Sequence, residues 1–549
     1  MKRLTIVVLL LFISFQIYAK PTNQKIDKIL NELFDKDGPG GVAIVVKDGK
    51  TIYRKAFGMA NLELGVKMTP DFIFRIGSVT KQFTAAAIVQ LAEQGKIDLT
   101  ADITQYIKDF PTHGQKISIE NLLTHTSGVK NFTSTKEWTQ HKKMQYLSSI
   151  ELVNFFKDQP MTMVPGEKYE YSNSNYVLLG RIIEIVSGQS YQQYLQDNIF
   201  NPLKMANTSY DSTKRIIKNR AYGYAKNGDV YENADYISMT QPFAAGAIVS
   251  TVDDLAKWQQ GLFSYQVISK KNLEKASEPF VLNNGDTAGY GYSWGVNGWN
   301  IKGEPMISYN GSIAGFKAST KYLTKKGVYV AILSNCRCNN GDDVSEQIAA
   351  IIIGSPYEWK QINLSEKTLN SYEGVYTSDK HGERFVSFEN NNLRLYKSGG
   401  KKSIIVPFEK NSFFYKDKEF PTTEVKFLTN TNGGFTSIKL TSTGRDAIWT
   451  KTNKKVLSYP AIEVSNKQLK SYVGKYELGP NFYLNIFIEG NTLYAQATGQ
   501  NKHKLRAYEK NKFVSESHDI QNTFNYDEKN KVKSITAHVV IDYHAKKIE

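Results

Sequence analysis

The chain has 549 residues, with 69 Lys and Arg against 53 Asp and Glu, a net charge of +16, 41% hydrophobic residues and two cysteines. This is the composition of a globular protein long enough for about three to four domains. Its basic excess leans toward the C-terminal third and shows no basic stripe interleaved with aromatics, which argues against a nucleic-acid partner and for a solvated lysine surface, with attraction to an anionic envelope polymer as the alternative.

Met1-Lys2-Arg3 and the apolar run Leu4 to Ile17, followed by Ala19, predict a signal peptide over 1–19 and a mature chain from near Lys20. No cysteine follows the run to take a lipid, and no later stretch reads as transmembrane. The expected location is periplasmic or secreted. A short helical pattern runs from Asn23 to Leu33. Val42–Val46 and Thr51–Ala56, joined through Asp48-Gly49, predict a hairpin.

Gly77-Ser78-Val79-Thr80-Lys81 opens a run whose apolar residues fall at helical spacing with small side chains, suited to deep burial. Three residues make nearly one turn, so Ser78 and Lys81 share a face, a nucleophile beside an amine. Burial and the positive end of the helix both oppose charge on Lys81 and lower its pKa toward that of a base. Helical patterns continue to about Trp258, including Val177–Val186, Tyr191–Phe200 and Ser250–Leu262. Asp253-Asp254, tempting as a metal pair, read as acids at the start of the last of these helices. Strands return at Tyr290–Val296, Pro305–Tyr309, Phe316–Leu323 and Val328–Ser334. The hairpin before the helices and these strands after them predict one antiparallel sheet joined by the two ends of the region, in an α+β domain over 20–356.

Beyond Gly354-Ser355-Pro356 the chain repeats itself at an interval of 100 residues. Leu369-Asn370-Ser371-Tyr372-Glu373-Gly374-Val375-Tyr376 returns as Leu469-Lys470-Ser471-Tyr472-Val473-Gly474-Lys475-Tyr476, and Phe408-Glu409-Lys410-Asn411 as Tyr508-Glu509-Lys510-Asn511. Two units of this length, rich in short β-like runs, predict two small barrel-like all-β domains at 357–458 and 459–549. Cys336 and Cys338, with one residue between them, read as incidental, poor in geometry for a disulfide and lacking a second pair for zinc.

Four stretches stand in a telling order: Phe74-Arg75-Ile76-Gly77-Ser78-Val79-Thr80-Lys81, Leu122-Leu123-Thr124-His125-Thr126-Ser127-Gly128, Tyr171-Ser172-Asn173 and Ala245-Gly246-Ala247-Ile248-Val249-Ser250-Thr251. Over about residues 25 to 350 the chain resembles the serine hydrolases related to class C β-lactamases, D-alanyl-D-alanine carboxypeptidases, D-aminopeptidases and esterases of that fold. The resemblance implies a β-lactamase/transpeptidase-like domain in which Ser78 is the nucleophile, Lys81 takes its proton and Tyr171 completes the catalytic set. Asn173 would orient Lys81 and hold a substrate amide. Tyr309-Asn310-Gly311-Ser312 would form the third element, with the backbone N–H groups of Ser78 and Ser312 as the oxyanion hole.

At position 309 the family carries Lys or His, and here the cation is missing. A neutral phenol implies preference for substrates without a carboxylate, unless another basic side chain supplies the charge. A phenol beside the amine is expected to share its proton and stay partly ionised. The implied activity is hydrolysis of a small peptide, amide or ester through an acyl-enzyme, peptidase-like or esterase-like, on cell-wall-type peptides. Alternatives are a β-lactamase or carboxypeptidase, and a non-catalytic binder of peptide or envelope polymer. Gly291-Tyr292-Ser293-Trp294-Gly295 matches the α/β-hydrolase elbow, but no helix follows, so Ser293 reads as a strand residue. His125 reads as a residue that orders its loop. No metal-ligand spacing is present, and neither metal nor cofactor is expected.

Overall fold

The computed structural model describes residues 22–295, 299–418, 420–443, 445–480 and 482–549. The expected signal peptide at 1–19 lies outside the described residues. Two compact units divide the chain, the first ending at Pro356, the second running from Tyr357 to Glu549 and including Asn227–Val230.

In the first unit, residues 22–33 form helix α1, and β1 (Gly41–Lys47) and β2 (Lys50–Phe57) form the hairpin. Asp48 and Gly49 take φ of 49° and 74° at its turn, the left-handed conformation that a two-residue hairpin loop requires. The later strands are β3 (Asn300–Ile301), β4 (Glu304–Ile313), β5 (Phe316–Leu323) and β6 (Val328–Ser334). The sheet runs β3-β4-β5-β6-β1-β2, and β6 pairs antiparallel with β1 from Gly41↔Ser334 to Lys47↔Val328. The ends of the region therefore meet at the centre of one sheet.

Tyr290–Val296, expected as a strand, is corrected. Residues 290–295 form a bend that shares only isolated bridges with its neighbours, Tyr290↔Gly295 and Gly295↔Ser308, and is held also by Gly291 N–H to Trp294 O and Tyr292 N–H to Ala276 O, while Val296 lies outside the described residues. Ser293 sits in that bend at φ 75°, so it is not a strand residue. A residue in the left-handed region cannot continue a pleated strand, and this one bends the chain instead.

Helix α2 (Thr80–Glu93) follows a 3-10 turn, Gly77–Val79, and is buried on almost every side. Its Ala85-Ala86-Ala87 stripe lies in the same core as Val177, Leu178 and Ile182 of α3 (Asn173–Ser187). A helix buried over nearly its whole surface, polar residues included, has this central place. Helix α4 (Val252–Phe263) is capped by Thr251, whose side chain accepts from Asp254 N–H, with Asp253 and Asp254 in its first turn. Helix α5 (Gly341–Ile352) covers the sheet, and Lys321 of β5 is buried in contact with its Asp342.

The second unit contains two closed eight-stranded barrels, from Gly374–Ser378 to Arg445–Lys451 and from Gly474–Gly479 to Asp542–Lys547. The repeated sequence is one structural device made twice. A short helix capped by Ser365 or Ser465 presents Tyr372 or Tyr472, fully buried, to each barrel interior. The hydroxyl of Tyr376 donates to Tyr372 O at 2.7 Å, and that of Tyr476 to Tyr472 O at 2.7 Å. Gly374 and Gly474 take φ of 154° and 151°, where a side chain is disfavoured, and a Cβ would meet Lys451 at 2.6 Å or Glu549 O at 2.2 Å.

The cysteines are a second correction. Cys336 and Cys338 are joined by a disulfide. The chain turns at these residues, which brings their Cα atoms to 5.2 Å, within the span a disulfide bridges despite the single residue between them.

Candidate active site

The site is built where α2 begins. Gly77 takes φ 51°, and a Cβ on it would stand 2.8 Å from Ser312 N. A Cβ on Gly311 would meet Ile76 O at 1.9 Å and Ser78 N at 3.2 Å. Both glycines let the end of β4, with Ser312, close on the turn that carries Ser78, the backbone approach that two main-chain donors to one oxygen would need.

Lys81 is fully buried. Its Nζ lies 2.9 Å from Asn173 Oδ1, 2.8 Å from Ala245 O and 3.3 Å from Ser78 Oγ. Burial alone drives its pKa well below the ordinary lysine value, because water is excluded and no carboxylate accompanies it. Ala245 is held there from α2 itself: Thr84 Oγ1 donates to Ala244 O at 2.7 Å, and Ile248 N–H donates to Thr80 Oγ1 at 3.1 Å. The amide of Asn173 is locked in turn, its Nδ2 donating to Thr133 Oγ1 at 3.2 Å.

Tyr171 donates its hydroxyl proton to Ser78 Oγ at 2.8 Å. Burial pushes its pKa up to about 12, against the opposing hydrogen bonds of Ser78 and Tyr309. Desolvation disfavours both the phenolate of Tyr171 and the ammonium of Lys81, so it acts against the charged form of each partner. Lys81 Nζ also lies 4.9 Å from the Tyr171 ring centre and 5.4 Å from that of Tyr176.

His125 is fully buried and stacks on Tyr171 with ring centres 4.4 Å apart, bounded also by Tyr169, Tyr176 and Tyr290. Its Nδ1 accepts the Ser172 N–H at 3.1 Å, and its carbonyl accepts Glu170 N–H at 2.8 Å. His125 therefore holds both chain neighbours of Tyr171, Ser172 through its ring and Glu170 through its backbone carbonyl.

A pocket of about 380 Å³ opens over Ser78, lined among others by Tyr171, Asn173, Ser312, Trp138 and Arg337. Tyr309 is not in this lining. Its phenol is buried, accepts the Tyr290 hydroxyl at 3.2 Å and lies in hydrogen-bonding reach of Tyr171. Strand alternation turns the side chain of Asn310 to the opposite face, toward Asp342 of α5, and Gly311 contributes close backbone approach. Ser78, Lys81, Tyr171, Asn173 and Ser312 are thus brought together, with Tyr309 behind Tyr171 and Asn310 turned away. The sequence reading missed the carbonyl of Ala245, the support of Asn173 by Thr133, and Arg337. Only Arg337 carried a signal, as a cation between two cysteines. Ser293, the other candidate nucleophile, is buried beside the phenols of Tyr176 and Tyr309. Among the described residues no cluster suited to holding a metal ion occurs, and none of their helices is long and apolar enough to cross a membrane.

Known proteins resemble this chain in sequence and fold. Residues 24–354 match the family described as Beta-lactamase, and residues 458–549 a domain of unknown function, DUF3471. The chain is 27% identical over 419 residues to penicillin-binding protein 4* of Bacillus subtilis (strain 168), covering 71% of this chain and 91% of that protein. Among solved structures it is similar to the octameric penicillin-binding protein homologue from Pyrococcus abyssi, with 24% identity, a TM-score of 0.55, and coverage of 87% of this chain and 97% of that one. The D-amino acid amidase from Ochrobactrum anthropi SV3 matches at 24% identity with a TM-score of 0.53, covering 61% and 99%. The two structural likenesses speak for the fold.

Proposed function

The chain belongs to the beta-lactamase family of serine hydrolases, and from that premise we propose that it hydrolyses an amide or ester of a short, cell-wall-type peptide through an acyl-enzyme on Ser78. The observation that carries this reading is the bonding of Lys81. Two acceptors, Asn173 Oδ1 and Ala245 O, take two N–H bonds of the neutral amine and leave its lone pair for Ser78 Oγ.

The Ser78 proton passes to Lys81 as Oγ attacks the substrate carbonyl, and the developing oxyanion lies at the N–H groups of Ser78 and Ser312. Tyr171, protonated and bonded to Oγ, supplies the proton that the leaving amine or alcohol takes. Lys81 returns the Ser78 proton to Tyr171. Water then releases the acyl group, activated by the same pair in reverse.

Peptide action is supported by the names of the relatives, a penicillin-binding protein and a D-amino acid amidase. A periplasmic or secreted location is supported by the apolar N-terminal run and by the disulfide, a bond that persists in oxidising compartments. The test is hydrolysis of a p-nitrophenyl ester by the protein and by Ser78→Ala, with intact mass read in parallel. Turnover and a trapped adduct of acyl mass, both absent in Ser78→Ala, are expected. A folded protein that forms no adduct on any ester or amide overturns the reading in favour of a non-catalytic binder.

A further inference from the structure

Strand β4, which carries Ser312 near its end, has two faces. Tyr309 stands on the one toward the site, in reach of Tyr171. Met306, Ser308, Asn310 and Ser312 stand on the other, opposite Leu323, Lys321, Ser319 and Lys317 of β5. Helix α5 packs on that second face. The face is apolar at Met306 and Leu323, and again on β6, where Val330 and Ile332 lie opposite Lys321 and Ser319. It turns polar in the three pairs that lead to Ser312.

Those pairs are tied to the helix one by one. Lys321, 1% exposed, donates to Ser308 Oγ at 2.8 Å, contacts Asp342 and lies 3.8 Å from Glu346. Ser319 Oγ donates to Asp342 Oδ1 at 3.2 Å, and the Asn310 side chain hydrogen-bonds to the same carboxylate. Lys317 Nζ donates to Asn340 Oδ1, just before the helix, at 2.8 Å. Asp342 is therefore one acceptor shared by side chains of both strands. A buried ion pair adds little stability over apolar side chains of the same size, and Gly341 packs on the apolar Ile332 of the same face. What the directional bonds add is register: apolar contact lets a strand slide against a helix, and a carboxylate bonded to both strands does not.

We propose that Asp342 and Lys321 are positioning residues of the oxyanion strand, pinning β4 from behind so that the Ser312 N–H stands at the oxyanion; this presupposes the acyl-enzyme on Ser78. Neither residue lines the pocket, so neither acts on substrate directly. A misplacement of about 1 Å caused far from the chemistry costs about 10²-fold in rate, which is the scale on which such a clamp acts.

The test is single-turnover acylation by a neutral p-nitrophenyl ester, beside inhibition by phenylboronic acid, whose tetrahedral adduct on a serine Oγ places an oxygen where the oxyanion forms. Asp342→Ala removes the shared acceptor. It should lower the acylation rate constant and the boronic-acid affinity together by about 10-fold or more, with the dissociation constant of the ester unchanged. Asp342→Asn keeps one acceptor oxygen and should recover part of both. If Asp342→Ala does not fold, Lys321→Met with Glu346→Gln decides by the same two readings. A variant that lowers only the urea midpoint, with acylation and boronic-acid affinity unaltered, has lost a structural contact alone and overturns the positioning role while the acyl-enzyme stands. A folded wild type that takes neither ester nor boronic acid overturns the acyl-enzyme itself, and the positioning role with it.

Discussion

Lys81 Nζ faces Ser78 Oγ at 3.3 Å with its remaining polar neighbours, Asn173 Oδ1 and Ala245 O, both acceptors. An ammonium would satisfy all three oxygens, but full burial without a carboxylate opposes that charge, and the neutral amine satisfies two and offers a lone pair to the third. In the proposed neutral pair, the proton that a charged pair would place on Lys81 stays on Tyr171.

The pH profile follows from those directions. As the proposed base, Lys81 would have to be unprotonated to act, so kcat/KM should rise with pH through a value depressed from the ordinary 10.5, and fall when Tyr171 loses its proton, at about 12. The same net protonation could be written as ammonium and phenolate, and absorption separates the two. The difference spectrum of wild type minus Tyr171→Phe should show no tyrosinate band between neutrality and about pH 11. A tyrosinate band at neutral pH would place the proton on Lys81 and reverse the roles.

Substitution of the pair should divide the chemistry. Lys81→Ala removes the base and should lower kcat by about 10²–10⁴-fold, the usual worth of a positioned general base. Tyr171→Phe should cost less for a nitrophenolate leaving group, which leaves without a proton, than for an amide, which needs one. Rates on a matched ester and amide check this. Equal losses on both would mean that Tyr171 only positions Ser78.

Much of this was legible in the sequence because its signals are local. Ser78 and Lys81 lie one helical turn apart, Tyr171 and Asn173 flank a helix start, and the repeated Tyr372 and Tyr472 announce two barrels. What was not legible depends on where long-range packing carries a side chain. Tyr309 sits in the right motif, yet its phenol is buried against Tyr290 and away from the pocket. Ala245 acts through a carbonyl, which no side-chain pattern encodes, and Arg337 reaches the pocket because a turn and a disulfide place it there. Ser293 looked like a strand residue because its neighbours are apolar, whereas a positive φ bends the chain at that point.

Arg337, in the pocket lining, bears on the substrate preference expected from Tyr309. Ser312 lies opposite Lys317, which lies opposite Ser334, and Arg337 follows Ser334 by three residues at the same end of the sheet. Lys317 is turned to Asn340, leaving Arg337 as the cation of this sheet end that lines the pocket. A guanidinium there can pair with a carboxylate in two parallel hydrogen bonds. Arg337→Ala should therefore raise KM for a carboxylate-bearing ester by about 10-fold or more while leaving its neutral analogue unchanged. Equal effects on both esters would return the preference to neutral substrates expected from Tyr309.

Backbone closure at the proposed oxyanion hole is tested at Gly311. A Cβ there would stand 1.9 Å from Ile76 O, a clash that must push β4 from the Ser78 turn. Gly311→Ala should lower kcat by about 10²–10³-fold, as for loss of one oxyanion donor. Far-UV circular dichroism should remain that of the wild type. Retained turnover would mean that the Ser312 N–H is not a donor to the oxyanion.

Acid stability tests the place of His125. Burial, and secondarily the nearby Lys81, holds its pKa well below the ordinary 6.5, while its unfolded form titrates near that value. Above pH 6.5 both states are neutral and no penalty exists. As pH falls below 6.5 the unfolded chain binds a proton that the folded chain refuses, so stability falls by about 1.4 kcal/mol per pH unit for this group until the folded pKa is reached. His503 and His518 have pKa values lowered by partial burial and add to the slope, so the variant must isolate one imidazole. His125→Asn keeps an acceptor near the Ser172 N–H and removes the titration. Its urea midpoint, followed through loss of esterase activity, should start lower because four ring contacts go, and should fall less steeply between pH 6.5 and 5. An unchanged slope would mean that His125 takes up a proton in the folded protein, and the stacked neutral imidazole that accepts the Ser172 N–H would have to be abandoned.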